Sequence, residues 1–95
     1  MPAYLIADVE VLDPLGYEEY RARVPAVIAT YGGHYKVRGG ATEALEGGWT
    51  PNRCVILEFP SMAKLKDFWN SPEYLPLRAI RERTARSRII AIEGI

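Results

Sequence analysis

Three charged side chains in this sequence, Asp8, Arg38 and Glu58, stand where acid–base chemistry would need them. Side chains alternate across an extended backbone, so Asp8 and Glu58 share one face of a sheet, opposite Leu5, Ala7, Leu57 and Phe59. On neighbouring strands the two carboxylates would lie close. A close pair pushes one pKa up and serves proton transfer. Arg38, on an adjoining strand, would neutralise them or polarise a substrate oxygen. The plainer reading of the same trio is a structural ion-pair network across the strands or a dimer interface.

A second set is Tyr20, Trp69, Tyr74 and Arg78. The aromatics would line a pocket between helices and sheet, with Arg78 holding an anionic group. Plain core packing competes with this, since aromatic stripes at helical spacing usually face a core. His34 is the single histidine and follows a Gly-Gly turn, where a surface or strand-edge role is expected. Cys54 sits on a central strand with nothing beside it in sequence to activate a thiolate. Ser61 reads as a helix cap. No His, Cys, Asp or Glu set stands at metal-ligand spacing, and no phosphate-cradling or dinucleotide pattern is present, so neither metal nor cofactor is expected. Arg78, Arg81, Arg83, Arg86 and Arg88 form a basic run that reads as a solvated face.

The elements that must position these residues are set by their patterns. Residues 3–11 alternate as a strand. Asp13-Pro14 opens a helix as cap and first residue, and Gly32-Gly33 closes it, one of the two in the left-handed conformation. Pro25 lies within and should kink that helix. Residues 34–38 alternate again, with Tyr35 and Val37 on one face and His34, Lys36 and Arg38 on the other. Gly39-Gly40 breaks or bulges that strand. Residues 41–52 form a loop or an extended hairpin arm. The stretch Arg53–Ser61 is a central strand ended by Pro60, with Ser61 capping a second helix that carries Met62, Leu65, Phe68 and Trp69 inward. Ser71-Pro72-Glu73 predicts another helix over about 72–84, and 87–93 a fourth strand.

The order strand, helix, strand, strand, helix, strand makes a ferredoxin-like plait, an α+β fold with a four-stranded antiparallel sheet covered by helices on one face. A chain of 95 residues with 48% hydrophobic residues makes one domain, 1–95, with a modest core. The open sheet face would carry Tyr4, Ile6, Asp8, Cys54, Ile56 and Glu58, a patch best hidden in a two-fold homodimer. Twelve basic residues balance twelve acidic ones, which argues against nucleic acid or an anionic membrane as partner. One cysteine permits no internal disulfide. The chain opens directly on a strand pattern, and no apolar run reaches membrane length, so a cytoplasmic location is expected.

The segments Pro2-Ala3-Tyr4 with Ile6-Ala7-Asp8-Val9, Tyr31-Gly32-Gly33, Val37-Arg38-Gly39-Gly40, Leu45-Glu46-Gly47, Glu58-Phe59-Pro60-Ser61 and Ser71-Pro72-Glu73-Tyr74 resemble the family known as domain of unknown function 1330. The resemblance runs through nearly the whole chain in order. It implies a dimeric α/β-barrel fold, within a superfamily that also holds cofactor-free monooxygenases, muconolactone isomerases, haem enzymes and stress-response proteins. Two functions fit these observations. One is a cofactor-independent enzyme acting on a small oxygenated metabolite, with Asp8 or Glu58 moving a proton and Arg38 or Arg78 holding an oxygen. The other is a non-catalytic, small-ligand-binding or structural dimeric module.

Overall fold

The computed structural model describes residues 1–95. Seven elements succeed one another: β1 (Ala3–Val11), α1 (Pro14–Thr30), β2 (His34–Arg38), β3 (Cys54–Phe59), α2 (Met62–Trp69), α3 (Leu75–Thr84) and β4 (Ala85–Glu93). The strands form one antiparallel sheet in the order β2-β3-β1-β4. This is the ferredoxin-like arrangement, with the second helical crossover divided into α2 and α3.

Local chemistry sets the helix ends. The Asp13 carboxylate accepts the Gly16 N–H at 3.1 Å, and the Ser61 hydroxyl accepts the Lys64 N–H at 3.2 Å. Helix α1 continues through Pro25, which forgoes one backbone hydrogen bond without ending the helix. Gly32, at φ 79°, supplies the left-handed turn after it. The helix expected over 72–84 starts later, at Leu75. Ser71 instead holds a turn, its hydroxyl donating to the Phe68 carbonyl at 2.8 Å and accepting from the Tyr74 N–H at 3.1 Å.

Alternation along β1 sends Ala3, Leu5, Ala7 and Val9 into the core against the helices, together with Leu57 and Phe59 of β3. From the helices come Tyr17, Val24, Ile28, Leu65, Phe68, Tyr74, Leu77 and Ile80. Phe68 packs against Tyr74 at 4.4 Å and against Phe59 at 5.3 Å between ring centroids, so one aromatic column joins sheet, α2 and the start of α3. The opposite sheet face carries no helix. Ile90 and Ile92 of β4 stand there 58% and 49% exposed, opposite Ile6 and Tyr4. No helix is long and apolar enough to cross a membrane.

Candidate functional site

Register decides the fate of the carboxylates. Glu58 pairs with Tyr4, and Asp8 pairs with Cys54. Both acids are on the open face, but four residues of strand separate them, about 13 Å. They form no close pair. Each is held by its own partners. Tyr4 donates to Glu58 at 2.8 Å, and the Lys36 ammonium lies 3.5 Å away. The Tyr4 hydrogen bond leads in lowering the Glu58 pKa below its usual value, against a smaller desolvation cost. At Asp8, burial pushes the carboxyl up. Hydrogen bonds from Arg88 at 3.2 Å and from the Asn52 N–H at 2.8 Å outweigh it, and the net shift is downward. Both groups stay ionised near neutrality, which suits ion pairing and the anchoring of the arm at Asn52 better than proton shuttling.

Arg38 is not on that face. A β-bulge between Tyr35 and Val37 sets Lys36 out of register, so Val37 pairs with Ile56 and Arg38 with Val55. Arg38 therefore turns to the helix side, where its guanidinium lies 4.6 Å from the centre of the Tyr35 ring. The expected trio of Asp8, Arg38 and Glu58 is divided between two faces of the sheet, because one extra residue reverses the parity of the strand beyond the bulge.

The helix side holds a cavity of about 50 Å³ between sheet and helices. Its walls are largely apolar, built from Ala7, Val9, Val24, Ile28, Val55 and Leu57 among others. Its polar lining is unusual in sign: Arg21, Arg38, Arg53 and Arg81 all reach it, with Tyr17, Tyr20, Tyr35 and Tyr74, and no carboxylate does. Arg21 is paired with Glu18 at 3.3 Å. The other three arginines take part in none of the chain's ion pairs.

Arg81 is the most enclosed of them, 6% exposed, on the α3 stripe that also buries Leu77, Ile80 and Thr84. Its Nε–H donates to the Tyr74 hydroxyl at 3.4 Å, and its guanidinium lies 5.7 Å from the Trp69 ring. The Tyr74 and Tyr20 hydroxyls are 3.0 Å apart. Either can donate to the other; with Arg81 donating into Tyr74, polarisation favours the direction from Tyr74 to Tyr20, which leaves the Tyr20 hydrogen for the cavity. Burial pushes the hydroxyls of Tyr17, Tyr20 and Tyr35 upward, so these three remain neutral donors. Burial works against the charge of Arg81, and what favours that charge here is the hydrogen bond to the Tyr74 hydroxyl rather than a counter-charge.

Of the second predicted set, Tyr20, Tyr74 and Trp69 do come together, with Trp69 5.6 Å from Tyr74 between ring centroids. Tyr20 and Tyr74 line the cavity, whereas Trp69 backs Tyr74 from outside it. Arg78 lies on the outer side of Trp69, 4.4 Å from its ring, and pairs with Glu82 at 3.8 Å. The most enclosed cation inside is Arg81, one turn further along α3, and Arg21 and Arg53 also line the cavity without any sequence pattern to mark them. His34 is exposed on β2, facing Glu58 across the ladder. No group of three or more His, Cys, Asp or Glu side chains is gathered as a metal site.

Known proteins share this fold. RPA0582, a protein of unknown function from Rhodopseudomonas palustris, superposes with a TM-score of 0.78 at 20% identity, over 99% of this chain and 82% of its own. A dimeric ferredoxin-like protein of unknown function from Jannaschia sp. CCS1 gives a TM-score of 0.72 at 12% identity, over 99% of this chain and 100% of its own. SnoaB, a cofactor-independent oxygenase from Streptomyces nogalater, gives 0.68 at 13% identity, over 99% of this chain and 93% of its own. A search of curated proteins finds no match. Residues 2–95 match the family described as Domain of unknown function (DUF1330), and the chain belongs to that family.

Proposed function

We propose that the helix-side cavity binds a small oxygenated organic acid in its ionised form, a phenolate, enolate or carboxylate on an apolar body. The observation that carries this reading is a buried arginine, Arg81, in a cavity lined by four arginines and no carboxylate. A buried charge without a counter-charge is costly, and a bound anion supplies the counter-charge that Arg81 lacks. The anionic oxygen would sit against Arg81 and the Tyr20–Tyr74 hydroxyl pair. The open volume takes the acidic group and a few adjoining atoms, with the remainder directed past the more exposed Arg21 and Arg38. Such a site lowers the pKa of the acid it binds, by about one unit or more for a group beside an arginine.

Para-nitrophenol reports this directly, because only its phenolate is yellow. Its apparent pKa should fall by about one unit on saturation with the protein. An unchanged pKa at saturating protein would overturn the reading.

A turnover reading draws on the fold shared with SnoaB. The cavity has no histidine, carboxylate or cysteine in its lining to move a proton, so a reaction here would use the reactivity of the bound anion itself. Oxygen uptake with an enolisable β-dicarbonyl or a dihydric phenol tests that. Uptake no faster than in buffer leaves binding as the function.

We also infer that the open sheet face is covered by a second copy of this chain. Support comes from the exposed Ile90 and Ile92 beside Ile6 and Ile56, and from neighbours of this fold described as dimeric. Sedimentation of a single monomeric species at micromolar concentration would count against it.

A further inference from the structure

The unpaired arginines of the cavity fall into two groups. Arg81 comes from α3, inside the helical layer. Arg38 and Arg53 come from the sheet side, immediately before and after the arm of residues 39–52. The second group is built with its own support. The Nε of Arg53 is buried and has no hydrogen-bond partner, which is expensive for a charged donor. The Arg53 carbonyl accepts the Val9 N–H at 2.9 Å, fixing the backbone from which the side chain leaves. Gly39, at φ 69°, folds the chain closely around the guanidinium: a Cβ there would stand 2.7 Å from Arg53 Nη1. Arg38 lies over Tyr35, a placement that leaves the edge of its guanidinium free to donate. A single anionic group seated against Arg81 leaves these donors unsatisfied.

We infer that the cavity takes a dianion: one anionic group at Arg81 with Tyr20 and Tyr74, a second at Arg38 and Arg53, joined by an apolar or unsaturated spacer along Val9, Val55 and Leu57. This rests on the anion-binding reading above and narrows its ligand class to dicarboxylates and compounds of like charge pattern.

Calorimetric titration of the wild-type protein with linear dicarboxylates, succinate through suberate, and with the half methyl ester of each, separates the two levels. At least one diacid should bind about tenfold or more tightly than its own half ester, the worth of a further charge-assisted contact. That advantage should vanish in Arg53→Gln while half-ester affinity holds. Should that variant fail to fold, Arg38→Gln reads the same subsite, since its side chain is exposed. Diacids and half esters that bind equally would overturn the dianion and leave the anion site standing. No binding by any of them, nor by para-nitrophenolate, would overturn both.

Discussion

Replacing Arg81 with methionine separates structural from ligand-binding use of a buried cation. Three effects act on stability. The hydrogen bond to Tyr74 is long at 3.4 Å, so its loss costs at most about 0.5–1 kcal/mol. The arginine stands 5.7 Å from the Trp69 ring, a cation–π contact worth about 0.5–1 kcal/mol at that distance. Against these stands relief of burying a charge with no carboxylate beside it, in a residue 6% exposed; replacing buried ion pairs by apolar side chains of similar size is often neutral or stabilising by about 1–4 kcal/mol, and the same range is taken here for the lone charge. The balance lies between a loss of about 2 and a gain of about 3 kcal/mol, each kcal/mol moving Tm by about 4–8 °C in a domain of this size. Binding moves the other way. Loss of charge-assisted hydrogen bonds worth about 1.5–3 kcal/mol weakens the anion by roughly tenfold to a hundredfold. Arg81→Lys should recover only part of this, because an ammonium lacks the planar fork. Differential scanning calorimetry and titration with para-nitrophenolate on the same samples give both numbers. A variant that loses more than about 2 kcal/mol of stability yet binds the phenolate as tightly as wild type would make Arg81 a structural cation with no part in holding a ligand.

Gly39→Ala forces a side chain into the left-handed region and against Arg53, so denaturant unfolding should show a loss of about 1–2 kcal/mol, and a neutral result would mean that the arm base relaxes freely. Asp8 and Glu58 are held below their ordinary pKa values, so each adds stability above its unfolded pKa and loses it as pH falls through the lower folded value. Unfolding free energy should therefore decline below about pH 5, and the decline should be shallower in the Asp8→Asn, Glu58→Gln double variant. Ile90→Asp, on the open face, should shift the sedimentation equilibrium to monomer while the circular dichroism stays native.

The plait was legible because strong local signals agreed. Alternation over residues 3–11, the Asp13-Pro14 and Ser61 caps and the apolar run before Pro60 each pointed to one element, and the order of elements left one topology. The site was less legible, and the reasons differ by residue. Parity assigned Asp8 and Glu58 to one face correctly but carries no register, which is what sets them four residues apart. Arg38 was misplaced because parity assumes an unbroken ladder, and nothing in His34–Arg38 marks the bulge at Lys36. Arg81 was hidden in a run of arginines that reads as a wet surface. Its spacing from Tyr74, Leu77 and Thr84 put it on the buried stripe of α3, and that periodicity was the available signal. Arg53 had no signal of its own, since its half-buried place depends on the chain passing close by at Gly39, which the sequence does not show.

The central claim is that Arg81 holds an anion inside the cavity. Arginine side-chain Nε–Hε signals in a nitrogen-15 correlation spectrum test it most directly, monitored through a titration with para-nitrophenolate. The Arg81 signal should move saturably and be protected from exchange, while those of the exposed Arg83 and Arg86 stay in place. Movement of Arg83, Arg86 and Arg88 with Arg81 unmoved would place the anion on the basic surface and contradict it.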